Sequence, residues 1–274
     1  MDVVNKKLIE AMSQADIDWL LDLVGRAGQA IMRIYDENSN EAEVQTKADQ
    51  SPLTKADLLA HQILYSELNT RWPSIPILSE EGEPWDVSTS SDLYWALDPL
   101  DGTKEFIKRN GEFTVNVALV MNGYPILGVV GVPAKGTSYL GVAKSFGQLP
   151  KYCAKKIDGE WSELSRERSL RSGKLGCEIK VVMSRSHASE STKAWLEALG
   201  PFTSIERGSS LKFCSVAEGE ADVYPRLGPT SIWDTAAGHA VLNAVGGVVV
   251  REDGVELNYS DPSKVLNPFF IAWG

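Results

Sequence analysis

Cysteine and histidine are both scarce, with three of each in 274 residues. Cys153, Cys177 and Cys214 are odd in number and widely spaced, and no CxxC pair occurs. That argues against a disulfide framework and a thiolate zinc site, and it fits a reducing cytoplasm. His61, His187 and His239 are far apart, without HExxH spacing. The chain also lacks a P-loop, GxGxxG and GxSxG. Kinase, dinucleotide and serine-hydrolase chemistry are therefore without support. Basic charge is the minority sign: 27 Lys and Arg against 37 Asp and Glu, a net charge of −10. A broad basic face for a nucleic-acid polymer is thereby excluded. A small anionic ligand is not, because bound metals can supply positive charge locally. Lys155, Lys156, Arg166, Arg168, Arg171 and Lys174 cluster mid-chain, but acidic residues interrupt them, as on a solvated face.

No long apolar run survives inspection. Residues 114–132 come closest to spanning a bilayer, but Asn116, Asn122, Gly123 and Pro125 interrupt them and their valines are β-branched. Two strands joined at Asn122-Gly123 are predicted instead of a membrane helix. The first fifteen residues show no signal-peptide core. Repeats and low-complexity segments are also missing.

What is present suits a globular enzyme. Hydrophobic residues make up 43% of the chain, enough for a real core. The length allows one large domain or two halves sharing an interface. Apolar residues at helical spacing predict a first helix over 17–34, followed by a polar, loop-like stretch over 36–51. A second helix over 53–72 carries Leu58, Leu59, Ile63, Leu64 and Leu68 on one side. Strands are expected at 75–78 and 94–97, then a meander at 114–121, 126–132 and 138–142. After Lys144 the pattern loosens and becomes charged until Gly176. This sets a division into an N-terminal half, 1–150, and a C-terminal half, 151–274. In the second half, strands are expected at 179–183, 222–225, 247–250 and 269–273, and helices at 189–199, 211–217 and 233–245. Helices alternating with sheets predict a layered α/β or α+β sandwich.

Chemistry concentrates in Trp95-Ala96-Leu97-Asp98-Pro99-Leu100-Asp101-Gly102-Thr103-Lys104-Glu105-Phe106. An apolar strand runs into two carboxylates, and Pro99, which donates no N–H, is expected to stop it. Gly102 permits close backbone approach to a ligand, and the amides after it could open a helix facing an anion. A metal-and-phosphate site and a plain Asp-Pro-x-Asp-Gly turn are both compatible with this segment alone. Glu80 and Glu81 also end a strand, and Asp234 opens a helix. Clustering such carboxylates without cations is costly, so side-by-side strands would create oxygen-rich sites of the Mg²⁺ type. Asp57 and Asp234 each have a simpler reading as first-turn acids complementing a helix dipole, and Thr103 as an N-cap.

Three blocks together, Glu80-Glu81, Asp98-Pro99-Leu100-Asp101-Gly102-Thr103 and Trp233-Asp234-Thr235-Ala236-Ala237-Gly238, resemble the inositol monophosphatase superfamily in order and spacing. Within it, Thr103-Lys104-Glu105-Phe106 is similar to the 3′(2′),5′-bisphosphate nucleotidases. So are Ser184-Arg185-Ser186-His187, Gly208-Ser209-Ser210-Leu211-Lys212-Phe213-Cys214 and Tyr224-Pro225-Arg226-Leu227-Gly228-Pro229-Thr230.

This resemblance implies a five-layered αβαβα sandwich and a Mg²⁺-dependent, lithium-sensitive phosphatase using two or three ions. Glu80, Asp98 and the Leu100 carbonyl would hold one ion, and Asp98, Asp101 and Asp234 a second. Glu80 would meet a weaker third, which places it with Asp57 and Thr103 among the catalytic residues. Asp57 and Thr103 would orient and deprotonate the attacking water, and the Gly102 and Thr103 amides would grip the scissile phosphate. Substrate contacts would come from Glu80, Leu100, Asp101, Gly102, Thr103, Lys104, Ser186, His187, Ser209, Lys212, Arg226 and Asp234. The implied reaction converts adenosine 3′,5′-bisphosphate to AMP and phosphate, with 3′-phosphoadenylyl sulfate as a further substrate, in sulfur assimilation. The expected partner is a small bisphosphate nucleotide. The expected location is the cytoplasm, with peripheral association at the inner face of the cell membrane left open. Alternatives are an inositol monophosphatase, a fructose-bisphosphatase-like sugar phosphatase, or a non-catalytic anion-binding protein.

Overall fold

The computed structural model describes residues 3–37, 45–46, 52–86, 92–165, 178–184 and 189–274. Helices α1 (Val3–Ala11) and α2 (Gln14–Asp36) open the chain, and β1 (Gln45–Thr46) pairs with β2 (Pro52–Leu53). Strand β1 lies within the stretch expected to be a loop, and β2 just beyond it, where the sequence predicts a helix to begin at Leu53. Helix α3 (Lys55–Arg71) follows, then β3 (Ile77–Ser79), β4 (Leu93–Asp101) and the short α4 (Thr103–Ile107). A meander continues through β5 (Thr114–Met121), β6 (Tyr124–Val132) and β7 (Thr137–Val142). Its first hairpin turns at Asn122 and Gly123, both with positive φ, as the sequence predicts. Strands β8 (Tyr152–Ile157) and β9 (Glu160–Glu163) come from the loosely patterned stretch and complete a seven-stranded sheet in chain order, β3 to β9. Its pairs are antiparallel except β3 with β4.

The remaining elements are β10 (Ile179–Ser184), α5 (Glu190–Leu199), β11 (Phe202–Arg207), α6 (Leu211–Ala217), β12 (Val223–Arg226), α7 (Ile232–Ala244), β13 (Val248–Arg251) and β14 (Phe270–Trp273). Their strands form a mixed sheet ordered β11-β10-β12-β14-β13. Helices α2 and α3 cover the outer face of the large sheet. Helices α6 and α7 lie between the sheets, and α5 covers the outside of the small one. The result is a five-layered αβαβα sandwich. No helix among the described residues is long and apolar enough to cross a membrane.

Strand β4 shows how the layers are sorted. Leu93, Trp95 and Leu97 pack toward α2 and α3, whereas Tyr94 and Ala96 pack toward α6 and α7. Alternation in a strand requires this, since both faces are covered. The helix face of α3 differs from expectation. Ala56, Ala60, Leu64 and Leu68 are buried, while Leu58 and Leu59 are exposed. Small alanines on the inner side let the helix sit close to the sheet, so larger residues are displaced outward. The basic cluster is also partly structural: Lys155 Nζ lies 2.9 Å from both carboxylate oxygens of Glu218, joining β8 to the end of α6.

Helix α7 rests directly on the large sheet at two glycines. A Cβ at Gly128 would lie 2.3 Å from the Ala237 carbonyl oxygen, and one at Gly141 would lie 2.4 Å from the Val241 Cα. Gly141→Val should therefore destabilise the fold by roughly 1–3 kcal/mol through overpacking. Gly25→Ala meets no atom within 4 Å on α2 and should stabilise by up to about 1 kcal/mol through helix propensity. Denaturant midpoints would report both, and an unchanged midpoint for Gly141→Val would contradict the tight seat of α7.

Candidate active site

The large sheet delivers its carboxylates through a bulge. Asp98 pairs with Asn116 and Asp101 with Thr114, so two residues of β4, Pro99 and Leu100, face one residue of β5. Residues three apart would ordinarily face opposite sides of a strand, and one extra residue returns them to the same side. The strand therefore does not stop at Pro99. Pro99 is accommodated in the bulge, where its missing N–H breaks no ladder bond. The Leu100 amide donates to Asp98 Oδ1 at 3.0 Å and fixes that carboxyl. Glu80 follows β3, and its amide donates to the Leu97 carbonyl at 3.2 Å, placing it beside Asp98. Both lie on the Tyr94 and Ala96 side, toward α7.

Asp234 meets this edge from α7. Its Oδ2 accepts the Ser231 amide at 2.8 Å in a capping box, so the helix-capping role expected of a first-turn acid is real. Asp57 behaves similarly on α3. Its Oδ2 accepts from the Thr54 amide at 2.7 Å and from the Thr54 hydroxyl. Its Oδ1 accepts the Thr103 hydroxyl at 3.2 Å. One oxygen caps a helix while the other accepts from Thr103. Thr103 opens α4 behind Gly102, whose φ of +91° and 2.2 Å Cβ approach to Ser209 Oγ both call for glycine.

Burial, then the charges of Glu80, Asp101 and Asp234, push the Asp98 carboxyl well above the usual carboxylate range. Burial and the neighbouring Asp101 push Asp234 up to about 7. Burial also raises Asp57. Asp98 Oδ2 is buried with no hydrogen-bond partner, an expensive position for a carboxylate oxygen unless a cation meets it. Among the described residues, no three acidic, cysteine or histidine side chains close into a ready metal cage. The donor set is all oxygen, and with the orphaned Asp98 Oδ2 it fits Mg²⁺.

A cavity of about 400 Å³ adjoins the carboxylates. Lys104, Arg207, Lys212 and Arg226 supply its cations. Lys212 is 7% exposed, and its Nζ donates to the Ser209 carbonyl at 2.6 Å. Burial pulls its ammonium down to about 8. Arg226 donates to Ser184 Oγ at 3.0 Å and to the Pro229 carbonyl at 2.7 Å, while its Nε is buried without a partner. Ser209 Oγ lies between the carbonyls of Asp101 and Glu112, at 2.9 and 2.6 Å. Ser186 and His187 fall outside the described residues. His61 bonds Ser79, and His239 is a buried core residue bonded to Tyr259. Three residues not expected as site residues line or brace the site: Asn116, Arg207 and Ser210. Asn116 did leave a signal, as an amide inside an otherwise apolar strand.

Asp98→Asn tests the cluster without added metal. A carboxyl raised in the folded state binds protons there that the unfolded chain releases, so stability falls as pH rises from about 4 toward 7. The variant should therefore gain over the native protein in EDTA near pH 7, and the gain should fade near pH 4. Relief on the order of 1–3 kcal/mol corresponds to about 2–10 °C in Tm for this size. A pH-independent difference in melting would count against the carboxylate cluster.

The model of the inositol monophosphatase family matches residues 13–268. The 3′(2′),5′-bisphosphate nucleotidase CysQ of Shigella flexneri is 46% identical over 255 residues, 93% of this chain and 98% of that protein. Its counterpart of the same name in Buchnera aphidicola is 41% identical over 260 residues, 93% and 92% of the two chains. The crystal structure of CysQ from Bacteroides thetaiotaomicron, a bacterial member of the inositol monophosphatase family, aligns with a TM-score of 0.77 at 38% identity. It covers 93% of this chain and 95% of that one. With the family model spanning nearly its whole length and the sandwich shared, the chain belongs to the inositol monophosphatase family.

Proposed function

We propose that the chain is a Mg²⁺-dependent phosphatase that removes the 3′-phosphate of adenosine 3′,5′-bisphosphate, giving AMP and phosphate. 3′-Phosphoadenylyl sulfate would be a second substrate of the same chemistry, and the reaction would belong to sulfur assimilation, where it removes an inhibitory by-product. The observation that carries this reading is the meeting of Glu80, Asp98, Asp101 and Asp234 beside a cavity lined by Lys104, Lys212 and Arg226. The name shared by the similar bacterial nucleotidases supports it. A non-catalytic anion binder would have little use for so many repelling carboxylates.

Glu80, Asp98 and the Leu100 carbonyl would hold one Mg²⁺, and Asp98, Asp101 and Asp234 another; a weaker third would meet Glu80. Bound there, Mg²⁺ supplies Lewis-acid polarisation of phosphoryl oxygens and a lowered pKa for water. The chain's own part is proton handling and orientation. Thr103 Oγ donates to Asp57 Oδ1, so its oxygen can accept a proton from an attacking water as it passes its own to Asp57. Burial makes Asp57 more basic than a surface carboxylate, which suits a proton acceptor. The Gly102 and Thr103 amides at the start of α4 would orient the scissile phosphate. Lys212 and Arg226, with Lys104 and Ser209 nearby, would read the phosphate that is not cleaved; arginine's planar fork suits that task.

Arg226→Ala should lose a charge-assisted contact worth roughly 1.5–3 kcal/mol. The loss should appear in kcat/KM for adenosine 3′,5′-bisphosphate and spare inositol 1-phosphate. Equal losses on both substrates would remove Arg226 from second-phosphate recognition, and a native preference for inositol 1-phosphate would favour the inositol reading. Because Lys212 keeps its charge below about 8, KM for the bisphosphate should rise as pH climbs past that value. The rise should vanish in Lys212→Met.

Metal dependence is separately testable. Activity should disappear in EDTA and return with Mg²⁺, and Ca²⁺ and Li⁺ should inhibit it. Ca²⁺ tolerates looser geometry and more ligands than Mg²⁺. Full turnover in EDTA would overturn the mechanism.

A further inference from the structure

We propose that Ser210, held by Asn116, is a positioning residue that sets Asp101 against Asp234 across the junction of the two sheets. It would thereby govern the affinity of the ion those carboxylates share. The inference rests on the metal reading given above. Ser210 Oγ lies 2.8 Å from Asp101 Oδ2 and 2.9 Å from the Asp234 carbonyl oxygen. It receives the Asn116 amide Nδ2 at 2.8 Å. A hydroxyl has one proton to give. With Asn116 donating to it, that proton is directed to the carboxylate, the stronger acceptor. Asn116 Nδ2 and the Thr114 hydroxyl each lie a further 3.4 Å from the same Asp101 oxygen. Three donors thus converge on Oδ2 and none of them on Oδ1.

Simpler roles do not account for these side chains. Ser210 stands at the N-cap position of α6, yet its hydroxyl makes no capping bond. It is 2% exposed, so water does not compete for it. Asn116 is fully buried in a central strand, and its Oδ1 has no partner. An amide kept there at that cost has a task elsewhere. Its register opposite Asp98 puts it on the carboxylate face of the sheet. Ser210 comes from the segment before α6 and touches the large sheet's Asp101 and the backbone of α7's Asp234. Its hydrogen bonds to the cluster run to Asp101 and to the Asp234 backbone. The effect should therefore fall on one class of ion and not on all.

The test is Mn²⁺ binding followed by electron paramagnetic resonance on the purified full-length protein, native and variant, with Tm in EDTA as a folding control. In Ser210→Ala, one class of Mn²⁺ site should weaken roughly 10–100-fold, as for other residues that orient metal ligands. A second class should be unchanged. The Mg²⁺ concentration for half-maximal activity should rise by a similar factor. The KM for adenosine 3′,5′-bisphosphate at saturating Mg²⁺ should stay near the native value. Ser210→Thr, which keeps the hydroxyl, should restore the weakened class, and Asn116→Ala should weaken that class and no other. Unchanged Mn²⁺ affinities in Ser210→Ala would overturn the inference, as would a uniform loss of every class with a fallen Tm. A well-folded Ser210→Thr that fails to restore binding would also overturn it. If the native protein binds no Mn²⁺, the metal reading itself fails and this inference falls with it.

Discussion

Like charge held at close quarters is the constraint on which the rest of this molecule depends. Burial, and then the charges of Glu80, Asp101 and Asp234, raise Asp98; burial and Asp101 raise Asp234, and each acid would be easier to accommodate apart. The fold resolves this by anchoring carboxylates one oxygen at a time. Asp98 Oδ1 takes the Leu100 amide, Asp101 Oδ2 takes Ser210, and Asp234 Oδ2 takes the Ser231 amide. Asp57, a short distance away in function, divides its oxygens between a helix cap and Thr103. Local structure and chemistry therefore do not compete for these residues.

The layers of the sandwich serve that arrangement. A central helix seated on Gly128 and Gly141 carries Asp234 toward the sheet. The bulge in β4 turns Asp101 to the side that Asp98 already faces. Parallel pairing of β3 with β4 brings Glu80 level with Asp98. Three elements of different kinds thus end at one place. Each alone would be a routine strand end or helix start.

Charge on the other side of the cavity completes the logic. The chain is acidic overall, at −10, yet the cavity wall gathers Lys104, Arg207, Lys212 and Arg226. Burial lowers Lys212 to about 8, which leaves it mostly charged near neutrality. An anion entering this cavity would meet fixed cations on one side and the carboxylate cluster on the other. Under the proposed function, discrimination between substrates would depend on where a second phosphate falls against Arg226 and Lys212, more than on net charge.

Much of this was legible before any coordinates. The blocks around Glu80, Asp98 and Asp234 marked the cluster because repelling carboxylates at the ends of elements have few other uses, and alternating apolar patterns marked the layers. Periodicity also placed α2, the meander and α7 closely. Other features were not legible, because they arise only when distant segments meet. Pro99 read as a stop, but pairing with β5 absorbs it in a bulge. Leu58 and Leu59 read as core, but small alanines win the inner face of α3. Asn116 read as an interruption, and Ser210 only as one member of the 208–214 block. Their hydrogen bond spans 94 positions of chain. The residue types and their spacing determined the chemistry available to this protein, because acids, amides and hydroxyls carry their donors and acceptors wherever they lie. Tertiary structure alone decided which oxygen of each acid is anchored and which is left to act, because that depends on partners brought from other strands and helices.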